Sequence, residues 1–259
     1  MKRKLLQILA GLLVLFLLAG CAGPIVVVEQ PESEQPAVVP TEGVPAAPAE
    51  KTEGTLKTGL AILPSVSKSA SAAADANGKA EYDVTVVAVT VDEQGVIHSC
   101  VIDSIGATSE FTAAGAPVAP GTVEVKSKNE LGFDYGMVAY KASPIGKEWF
   151  EQAAALAAFA EGKTLDQVKA GITGGYASDV DLATSATIYL GGYVAGMEAA
   201  VANAQELGAQ TGDELKLAIT ASVDASEGAA QLNVDAAALT VKGETITSCV
   251  IDSLQAKVE

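Results

Sequence analysis

The chain has 259 residues, of which 49% are hydrophobic but only 5% aromatic, so its core must consist mainly of small side chains. Its 32 acidic residues outnumber 16 basic ones, and a formal charge of −16 argues against binding to nucleic acid or to anionic lipid through a basic surface. Three cysteines and one histidine are too few ligands for a zinc or iron–sulfur framework, and no acidic cluster has the loop spacing of a calcium site. This length predicts one or two domains.

The first 21 residues have the pattern of an export signal. Three basic residues at 2–4 precede an apolar run over 5–18, which is short for a membrane span. The run ends in Leu-Ala-Gly-Cys21, which resembles the bacterial lipobox, whose cysteine is diacylated and becomes the first residue of the mature lipoprotein. We therefore predict a signal peptide over 1–20, lipidation of Cys21 and a lipid-anchored location on the extracytoplasmic face of the cell membrane. An uncleaved anchor and an ordinary signal peptide are the alternatives.

Residues 21–54 are predicted to form an extended tether. The stretch 24–54 holds six of the ten prolines and six glutamates but no aromatic residue. Such a composition buries too little apolar surface to fold, and proline with like charge keeps the chain extended. Removal of residues 1–20 takes away three basic residues and no acidic one, which leaves 13 basic against 32 acidic residues.

The sequence contains an internal repeat. Thr90–Ile105 and Thr240–Leu254 both have the pattern of strand, turn and strand, and both contain Ser-Cys-Val-Ile-Asp-Ser at an offset of 149 residues. A period of this length indicates a duplicated domain rather than a solenoid. Because Glu259 aligns with Glu110, we expect a second copy that is truncated in a fragment of a longer protein. The alternative is a true C-terminus whose extra strands complete the first sheet.

The repeat contains two kinds of side chain that could be chemically reactive, cysteine and histidine. Cys100 and Cys249 occupy equivalent positions, and an exported chain could join them in a disulfide. Equivalent sites of two domains are rarely within bonding distance, so we predict instead a separate buried thiol in each copy. His98 lies on a strand beside a turn, which favours a surface or half-buried side chain over a catalyst.

Strands are predicted to come first in the region that follows the tether. Alternating Val, Ala and Thr residues indicate strands over 55–64 and 80–105. The Ala/Ser-rich stretch 67–79 is predicted to be a loop. Two glycines and two prolines make 107–125 irregular.

Helices are predicted later in the chain, over 149–161, 165–170 and, unbroken, 186–207. Strands followed by helices predict an α+β fold, with an antiparallel sheet and helices packed on one side. The predicted α+β domain spans 55–207, and 208–259 are the first strands of the truncated second copy.

The seven residues Asp181-Leu-Ala-Thr184-Ser185-Ala186-Thr187 carry the strongest functional signal. They resemble the Asp-x-x-Ser/Thr-Gly/Ser-Ala-Ser/Thr signature of proteins modified by a flavin transferase, among them the FMN-binding-domain lipoproteins of flavin-based extracellular electron transfer. The resemblance implies FMN joined through its phosphate to the hydroxyl of Thr187. It also implies that Asp181, Thr184, Ser185 and Ala186 are the recognition residues. The export signal and the tether are features that these lipoproteins share.

The chemistry of the segment is compatible with this attachment. Thr187 supplies the alkoxyl group, and Ser185 and Ala186 are small enough to let an enzyme approach it. Thr187 lies at the start of the predicted third helix, so a phosphate there would meet free backbone amides and the positive end of the helix dipole. Thr184 or Ser185 would be the N-cap. The alternative is that the segment is ordinary capping chemistry without a cofactor.

Aromatic residues near this segment have two possible roles. The polar–aromatic cluster of residues 128–137 with Glu148 and Trp149 could line a pocket for the isoalloxazine ring or form a corner of the core. Three tyrosines could cover the flavin or belong to the core: Tyr176, Tyr189 and Tyr193.

These features predict a membrane-anchored extracytoplasmic electron carrier with covalent FMN. Its expected partners are a flavin transferase, the membrane reached through the lipid anchor, and a membrane redox donor such as a quinone-linked dehydrogenase. Such a protein carries electrons and does not convert a substrate, because the cofactor supplies the chemistry. The alternative is a non-catalytic surface lipoprotein that binds a ligand or a protein without flavin. An exported hydrolase is disfavoured because the sequence has no evident nucleophile–base pair.

Overall fold

Long antiparallel strands open the part of the chain that the computed structural model describes, residues 54–259. They are β1 (Thr55–Ser65), β2 (Gly78–Val91), β3 (Ile97–Phe111) and the short β4 (Gly121–Glu124). β2 is rich in valine and is buried on both faces along its second half, as expected of a strand with layers on either side. The predicted signal peptide, Cys21 and the predicted tether up to residue 53 lie outside the described residues.

The middle of the described chain is helical, apart from one small hairpin. The helices are α1 (Lys128–Leu131), α2 (Trp149–Ala160), α3 (Leu165–Ala170), α4 (Val180–Ala183) and α5 (Gly191–Ala202). A 3₁₀ turn (Gly132–Tyr135) follows α1, and the hairpin of β5 (Ile172–Thr173) and β6 (Tyr176–Ala177) precedes α4.

The chain then returns to strands. These are β7 (Gln205–Gln210), β8 (Glu214–Ser226), β9 (Ala229–Lys242) and β10 (Thr245–Val258). All the pairings are antiparallel, and they form two four-stranded sheets with the orders β3-β2-β1-β7 and β10-β9-β8-β4. The sequence prediction of an α+β fold with antiparallel strands is therefore confirmed.

The two sheets pack face to face through one apolar core. The first sheet contributes residues such as Leu60, Val84 and Ile105, and the second contributes small side chains from β9, among them Val234 and Ala236. Two hydrogen bonds join buried groups across the interface. The hydroxyl of Tyr82 donates to the carbonyl oxygen of Ala230 at 2.6 Å, and the hydroxyls of Thr58 and Ser248 lie 2.6 Å apart.

The opposite face of the first sheet is covered by helices. α2 lies against β3, and α5 lies against β1 and β2. Val89, Cys100 and Ile102 of the sheet share a core with Leu156 of α2 and Met197 of α5. This second core is what positions the loop between α4 and α5.

α5 approaches the first sheet so closely that glycine is required at the contact. A β-carbon on Gly59 of β1 would lie 1.9 Å from the carbonyl oxygen of Ala200, and one on Gly196 would lie 2.6 Å from the side chain of Val87. Both distances are far below van der Waals contact, so these glycines determine how deep the helix sits.

The third predicted helix, over 186–207, is wrong at both ends. α5 covers only Gly191–Ala202, and Gln205–Gln210 form β7 instead. β7 pairs with the edge of β1, where Thr58 opposes Gln205, so a tertiary pairing overrides the local helical preference. Part of the predicted irregular stretch is also ordered, because β3 stays paired with β2 as far as Phe111.

The repeated segments form equivalent hairpins, one in each sheet. Cys100 and Cys249 are both free thiols, so the described cysteines form no disulfide. Cys100 is buried as predicted, and burial raises the pKa of its thiol well above the usual range. The buried thiol predicted for the second copy is wrong, because Cys249 is exposed. The prediction of a surface or half-buried His98 is wrong, because its side chain is buried, and its Nε2 lies 3.2 Å from a carboxylate oxygen of Asp92.

Candidate functional site

The flavinylation-like segment begins in the short helix α4. The carboxylate of Asp179 caps this helix by accepting hydrogen bonds from the backbone amides of Asp181 and Leu182, at 3.0 and 3.1 Å. The hydroxyl of Thr184 donates to the carbonyl oxygen of Asp181 at 2.8 Å and closes the last turn. The side chains of Asp181 and Thr184 are both exposed.

The second half of the segment turns inward. Ser185 is half-buried, and Ala186 is buried in the core shared by α2 and α5. The packing around Ala186 thus favours a small side chain. This requirement is separate from the need for a flavin transferase to reach Thr187. Thr187 is half-buried and lies between this core and the surface.

A glutamine from α2 holds Thr187 in place. The side-chain oxygen of Gln152 accepts hydrogen bonds from the backbone amide of Thr187 at 2.8 Å, from its hydroxyl at 3.2 Å and from the amide of Ile188 at 3.2 Å. The side-chain nitrogen of Gln152 donates to the carbonyl oxygen of Lys147 at 3.0 Å. Gln152 is fully buried, so its carboxamide is a fixed anchor that joins two loops.

The prediction that Thr187 starts a helix is wrong. α5 begins four residues later at Gly191, with Leu190 at the N-cap, and Thr184 is the C-cap of α4. Neither Thr184 nor Ser185 is an N-cap. Because Gln152 already accepts from the amide of Thr187, that amide is not free to bind a phosphate as a helix N-terminus would.

A cleft of about 520 Å³ adjoins the segment, and it is lined by the two residues that follow Thr187. This volume lies within the range of small-molecule sites, about 300–1,000 Å³. The cleft is bounded by the end of β1, by the central parts of β2 and β3, by α1 and by the start of α5. Its principal side chains are Lys68, Lys128, Ile188, Tyr189 and Tyr193.

The cleft brings two cations together in a strongly acidic protein. The ammonium of Lys128 lies 5.1 Å from the ring centre of Tyr135 and 5.2 Å from that of Trp149. The ammonium of Lys68 lies 2.6 Å from a carboxylate oxygen of Asp83, and this hydrogen bond raises the pKa of Lys68. Lys128 has no comparable carboxylate contact among the described ion pairs, so it is the better placed of the two to meet an anion.

The polar–aromatic cluster belongs partly to the core and partly to the cleft. Trp149 is 2% exposed, and its indole N–H donates to the hydroxyl of Tyr193 at 2.8 Å. Tyr193 in turn lines the cleft. Glu148 is also buried, and its carboxylate accepts from the amides of Met137 and Val138 at 2.8 and 3.0 Å. The cluster therefore forms a rigid wall rather than a mobile lid.

Tyr189 stands at the outer edge of the cleft and is 58% exposed. Its ring packs edge-on against Tyr176, with the ring centres 5.6 Å apart. A β-carbon on Gly175 would lie 2.1 Å from this ring, and Gly175 has a φ of +83° that also favours glycine. Tyr176 and Tyr189 are therefore surface residues beside the cleft and not part of the core.

Lys128 is positioned by the link between α1 and β3. The carboxylate of Asp103 on β3 accepts from the backbone amides of Ser104 and Asn129, at 2.7 and 3.1 Å. The side chain of Asn129 donates to the carbonyl oxygen of Ile102 at 2.9 Å. Asp103 is buried, so this carboxylate ties the first turn of α1 to the sheet edge.

Asp103→Asn is expected to stabilise the protein at pH 7 and to lose that advantage in acid. Burial raises the pKa of the Asp103 carboxyl, and hydrogen bonds from Ser127, Asn129 and Ser104 offset this only in part. The folded state therefore binds this proton more tightly than the unfolded state does. The protonated Asp103 carboxyl contributes its full stabilisation below the pKa of the unfolded chain, about 3.9. This stabilisation is lost as the pH rises through the pKa of the folded state. Asparagine does not titrate, so the difference in the free energy of unfolding between Asp103→Asn and the wild type should widen as the pH rises.

Urea denaturation at a series of pH values measures this gap. Asp252→Asn is the matched control, because Asp252 occupies the equivalent repeat position but is exposed. We expect the control to follow the wild type at every pH. A gap for Asp103→Asn that stays constant with pH would mean that burial does not govern this carboxyl.

Gln152 is a functional-site residue that sequence reasoning missed, whereas Glu148 was already part of the predicted polar–aromatic cluster. Both are buried polar side chains on or beside the apolar face of α2, which also carries Leu156. A polar residue on the apolar face of an Ala-rich helix is the signal that could have identified Gln152, since a buried carboxamide needs partners.

Comparison with known proteins provides no precedent for the site. No protein-family model matches the chain, and no curated protein sequence or solved structure is significantly similar to it. Among the described helices, none is long and apolar enough to cross a membrane. Residues 54–259 contain no group of three or more His, Cys, Asp or Glu side chains arranged to hold a metal ion.

Proposed function

We propose that this protein is a lipid-anchored extracytoplasmic electron carrier that holds FMN as a phosphoester on Thr187. The observation that supports this most directly is the placement of the acceptor residue. Thr187 is half-buried, and the two residues after it line a cleft that contains Lys128 and two tyrosines. An acceptor in the interior of a core would have argued against the proposal.

The hydrogen bonds at Thr187 are compatible with a modified hydroxyl. Esterification removes the hydroxyl hydrogen and with it one of the three bonds to Gln152. The amides of Thr187 and Ile188 still donate to the same oxygen. Gln152 therefore keeps two partners, and the loop can retain its conformation before and after modification.

The attachment step requires an enzyme. The hydroxyl oxygen of Thr187 forms a bond to the FMN phosphorus of FAD, the phosphoanhydride bond breaks, AMP leaves and the hydroxyl proton is lost. The group hydrogen-bonded to this hydroxyl is an amide oxygen, which is too weak a base to take an alcohol proton. A flavin transferase would supply that base. The exposed Asp181 and Thr184 and the half-buried Ser185 offer it a recognition surface.

The cleft supplies binding and shielding for the cofactor. FMN, when bound, supplies the reversible transfer of electrons. The Lys128 ammonium stabilises negative charge in the cleft, and the exposed ring of Tyr189 can cover an apolar group from water. Tyr193 is fixed by its hydrogen bond from Trp149, so the ring on this wall is positioned in advance.

The predicted anchor and tether would let the carrier reach its redox partners. A lipid on Cys21 keeps the domain near a membrane donor such as a quinone-linked dehydrogenase, and an extended chain over 21–54 lets it move between donor and acceptor.

We also propose that the two equivalent hairpins are copies of one domain. The support is the shared Ser-Cys-Val-Ile-Asp-Ser run on β3 and β10, each of which pairs with the strand before it.

The test of the flavin proposal is coexpression of the exported chain with a flavin transferase, followed by acid precipitation and intact-mass measurement. We expect a yellow pellet and the added mass of one FMN. Thr187→Val, which keeps the side-chain shape but lacks the hydroxyl, should abolish both, whereas Thr187→Ser should retain them. A colourless, unmodified wild-type chain beside a transferase that modifies a known substrate would overturn the proposal and favour the surface binding module.

A further inference from the structure

One stretch of this acidic chain is locally basic, and it lies beside the candidate site. Residues 126–147, which we call the basic segment, hold four lysines and two acidic residues, whereas the whole chain has twice as many acidic as basic residues. Lys141 is exposed and Lys147 is half-buried, and neither takes part in an ion pair between described residues. Their positive charge is therefore free to attract a partner.

The basic segment also exposes two aromatic side chains. Phe133 is 75% exposed and Tyr140 is 83% exposed, more than any other described aromatic residue. The ring of Phe133 packs edge-on against Phe150 of α2, with the ring centres 5.2 Å apart, and the ring of Tyr140 lies against Gly136. Aromatic residues are enriched in protein interfaces, and charges at the rim of an interface steer the partner toward it.

Hydrogen bonds hold the second half of the basic segment in one conformation. The amide of Met137 donates to the carboxylate of the buried Glu148 at 2.8 Å. The amide of Ala142 donates to the carbonyl oxygen of Met137 at 2.8 Å, and the amide of Lys147 donates to the hydroxyl of Ser143 at 3.1 Å. A surface that is ordered before binding loses little conformational entropy when a partner docks.

Gln152 joins the basic segment to the acceptor loop. Its side-chain oxygen accepts from the amide and the hydroxyl of Thr187, and its side-chain nitrogen donates to the carbonyl oxygen of Lys147 and lies 3.4 Å from the hydroxyl oxygen of Ser143. A standard protein interface covers about 800 Å² on each partner, which corresponds to a patch about 16 Å in radius. We therefore expect an enzyme whose active site reaches the hydroxyl of Thr187 to cover Ser143 and Lys147 as well.

We propose that the basic segment is a docking surface for the flavin transferase, and that the transferase faces it with acidic groups around an apolar site. This inference rests on the proposed function, because it concerns the enzyme that would modify Thr187. Lys141 attracts the acidic groups, and the exposed rings of Phe133 and Tyr140 supply the apolar contact. The segment that contains Thr187 carries the exposed acidic residue Asp181, so the surface offered to the enzyme has both signs of charge. Such a distribution favours one orientation of the bound enzyme.

Steady-state kinetics of FMN attachment test this surface, with the exported chain purified from cells that lack a transferase as the substrate. Lys141→Glu and Tyr140→Ser should each raise the KM for the chain by about fivefold or more and leave kcat within about twofold, because they weaken docking without touching Thr187. Lys141→Arg keeps the charge and should behave like the wild type. Lys216→Glu reverses an exposed lysine of the second sheet, and this matched control should leave the KM unchanged.

Added salt provides a second measurement. It should raise the KM of the wild-type chain but have much less effect on Lys141→Glu, because the attraction that salt screens is already lost in that variant.

The possible failures are distinguishable. An unchanged KM for the chain in both variants, with FMN still attached at Thr187, would overturn the docking surface and leave the proposed function intact. A rise in the KM for FAD rather than for the chain would also overturn it, since the lysines would then bind phosphate and not the enzyme. A wild-type chain that is never modified by an active transferase would overturn the proposed function and this inference with it.

Discussion

Gly59→Ala is expected to lower the free energy of unfolding by about 3 kcal/mol, at the upper end of the cost of overpacking a core. The added β-carbon would lie 1.9 Å from the carbonyl oxygen of Ala200 and 3.1 Å from the side chain of Ala204. The first of these is backbone in a helix and cannot rotate away, so α5 must move as a unit. Urea denaturation followed by circular dichroism measures the change.

Gly192→Ala is the matched control on α5. The nearest atom to a β-carbon at Gly192 is the hydroxyl oxygen of Thr85, at 3.8 Å, which is ordinary contact. The control should be neutral or gain about 0.5 kcal/mol, because alanine restricts the unfolded chain. If Gly59→Ala were as stable as this control, α5 could not pack on β1 as closely as described.

The displacement of α5 in Gly59→Ala should also change the candidate site. Gly192 and Tyr193 of α5 line the cleft, so a shift of the helix changes its width. A fall in stability together with a fall in flavin attachment would show that the cleft depends on the packing of α5.

The strands β1 to β3, the β9–β10 hairpin and two of the helices could be predicted because local pattern and tertiary environment agree. Over 80–91 apolar and polar residues first alternate, and the run Val86–Val89 that follows is entirely apolar, which is typical of a strand buried on both sides. α2 and α3 lie within a residue of their predicted limits, since capping residues such as Thr164 mark their starts. These signals are short-range and need no knowledge of the partner.

The limits of the third helix were predicted wrongly because distant residues determine where this helix begins and ends. Residues 186–190 are held by Gln152 and by the carbonyl oxygen of Gly175, which accepts from the amide of Leu190 at 2.6 Å. Beyond α5 the chain pairs with the free edge of β1. Gln152 and β1 both lie outside a window of roughly 20 residues around these ends, so helical periodicity dominated the prediction.

In the candidate site, too, some residues could be predicted from the sequence and others could not. The motif residues were found because they are contiguous in sequence. Their anchor, Gln152, lies 35 residues before Thr187, and only the fold brings the two together. The cleft was foreseen in part, since Lys128, Tyr189 and Tyr193 were candidates for a flavin pocket, but Lys68 comes from a distant part of the chain and was not.

Gln152→Ala is expected to lower the free energy of unfolding by about 2–4 kcal/mol, because it leaves buried donors unpaired and opens a cavity. The amides of Thr187 and Ile188 lose their acceptor, and the carbonyl oxygen of Lys147 loses its donor. On the proposal that Thr187 is the FMN acceptor, attachment should also slow by about tenfold or more, because the acceptor hydroxyl is no longer held in one place.

Gln152→Met separates the two causes, since methionine fills nearly the same volume without an amide. If hydrogen bonding is what orders the loop, the amides of Thr187 and Ile188 should exchange with solvent faster in Gln152→Met as well as in Gln152→Ala, while the stability loss in Gln152→Met is smaller. Hydrogen exchange read by mass spectrometry or NMR reports this directly. Unchanged protection of both amides in Gln152→Met would show that packing alone holds the loop, and the role given to the carboxamide would be wrong.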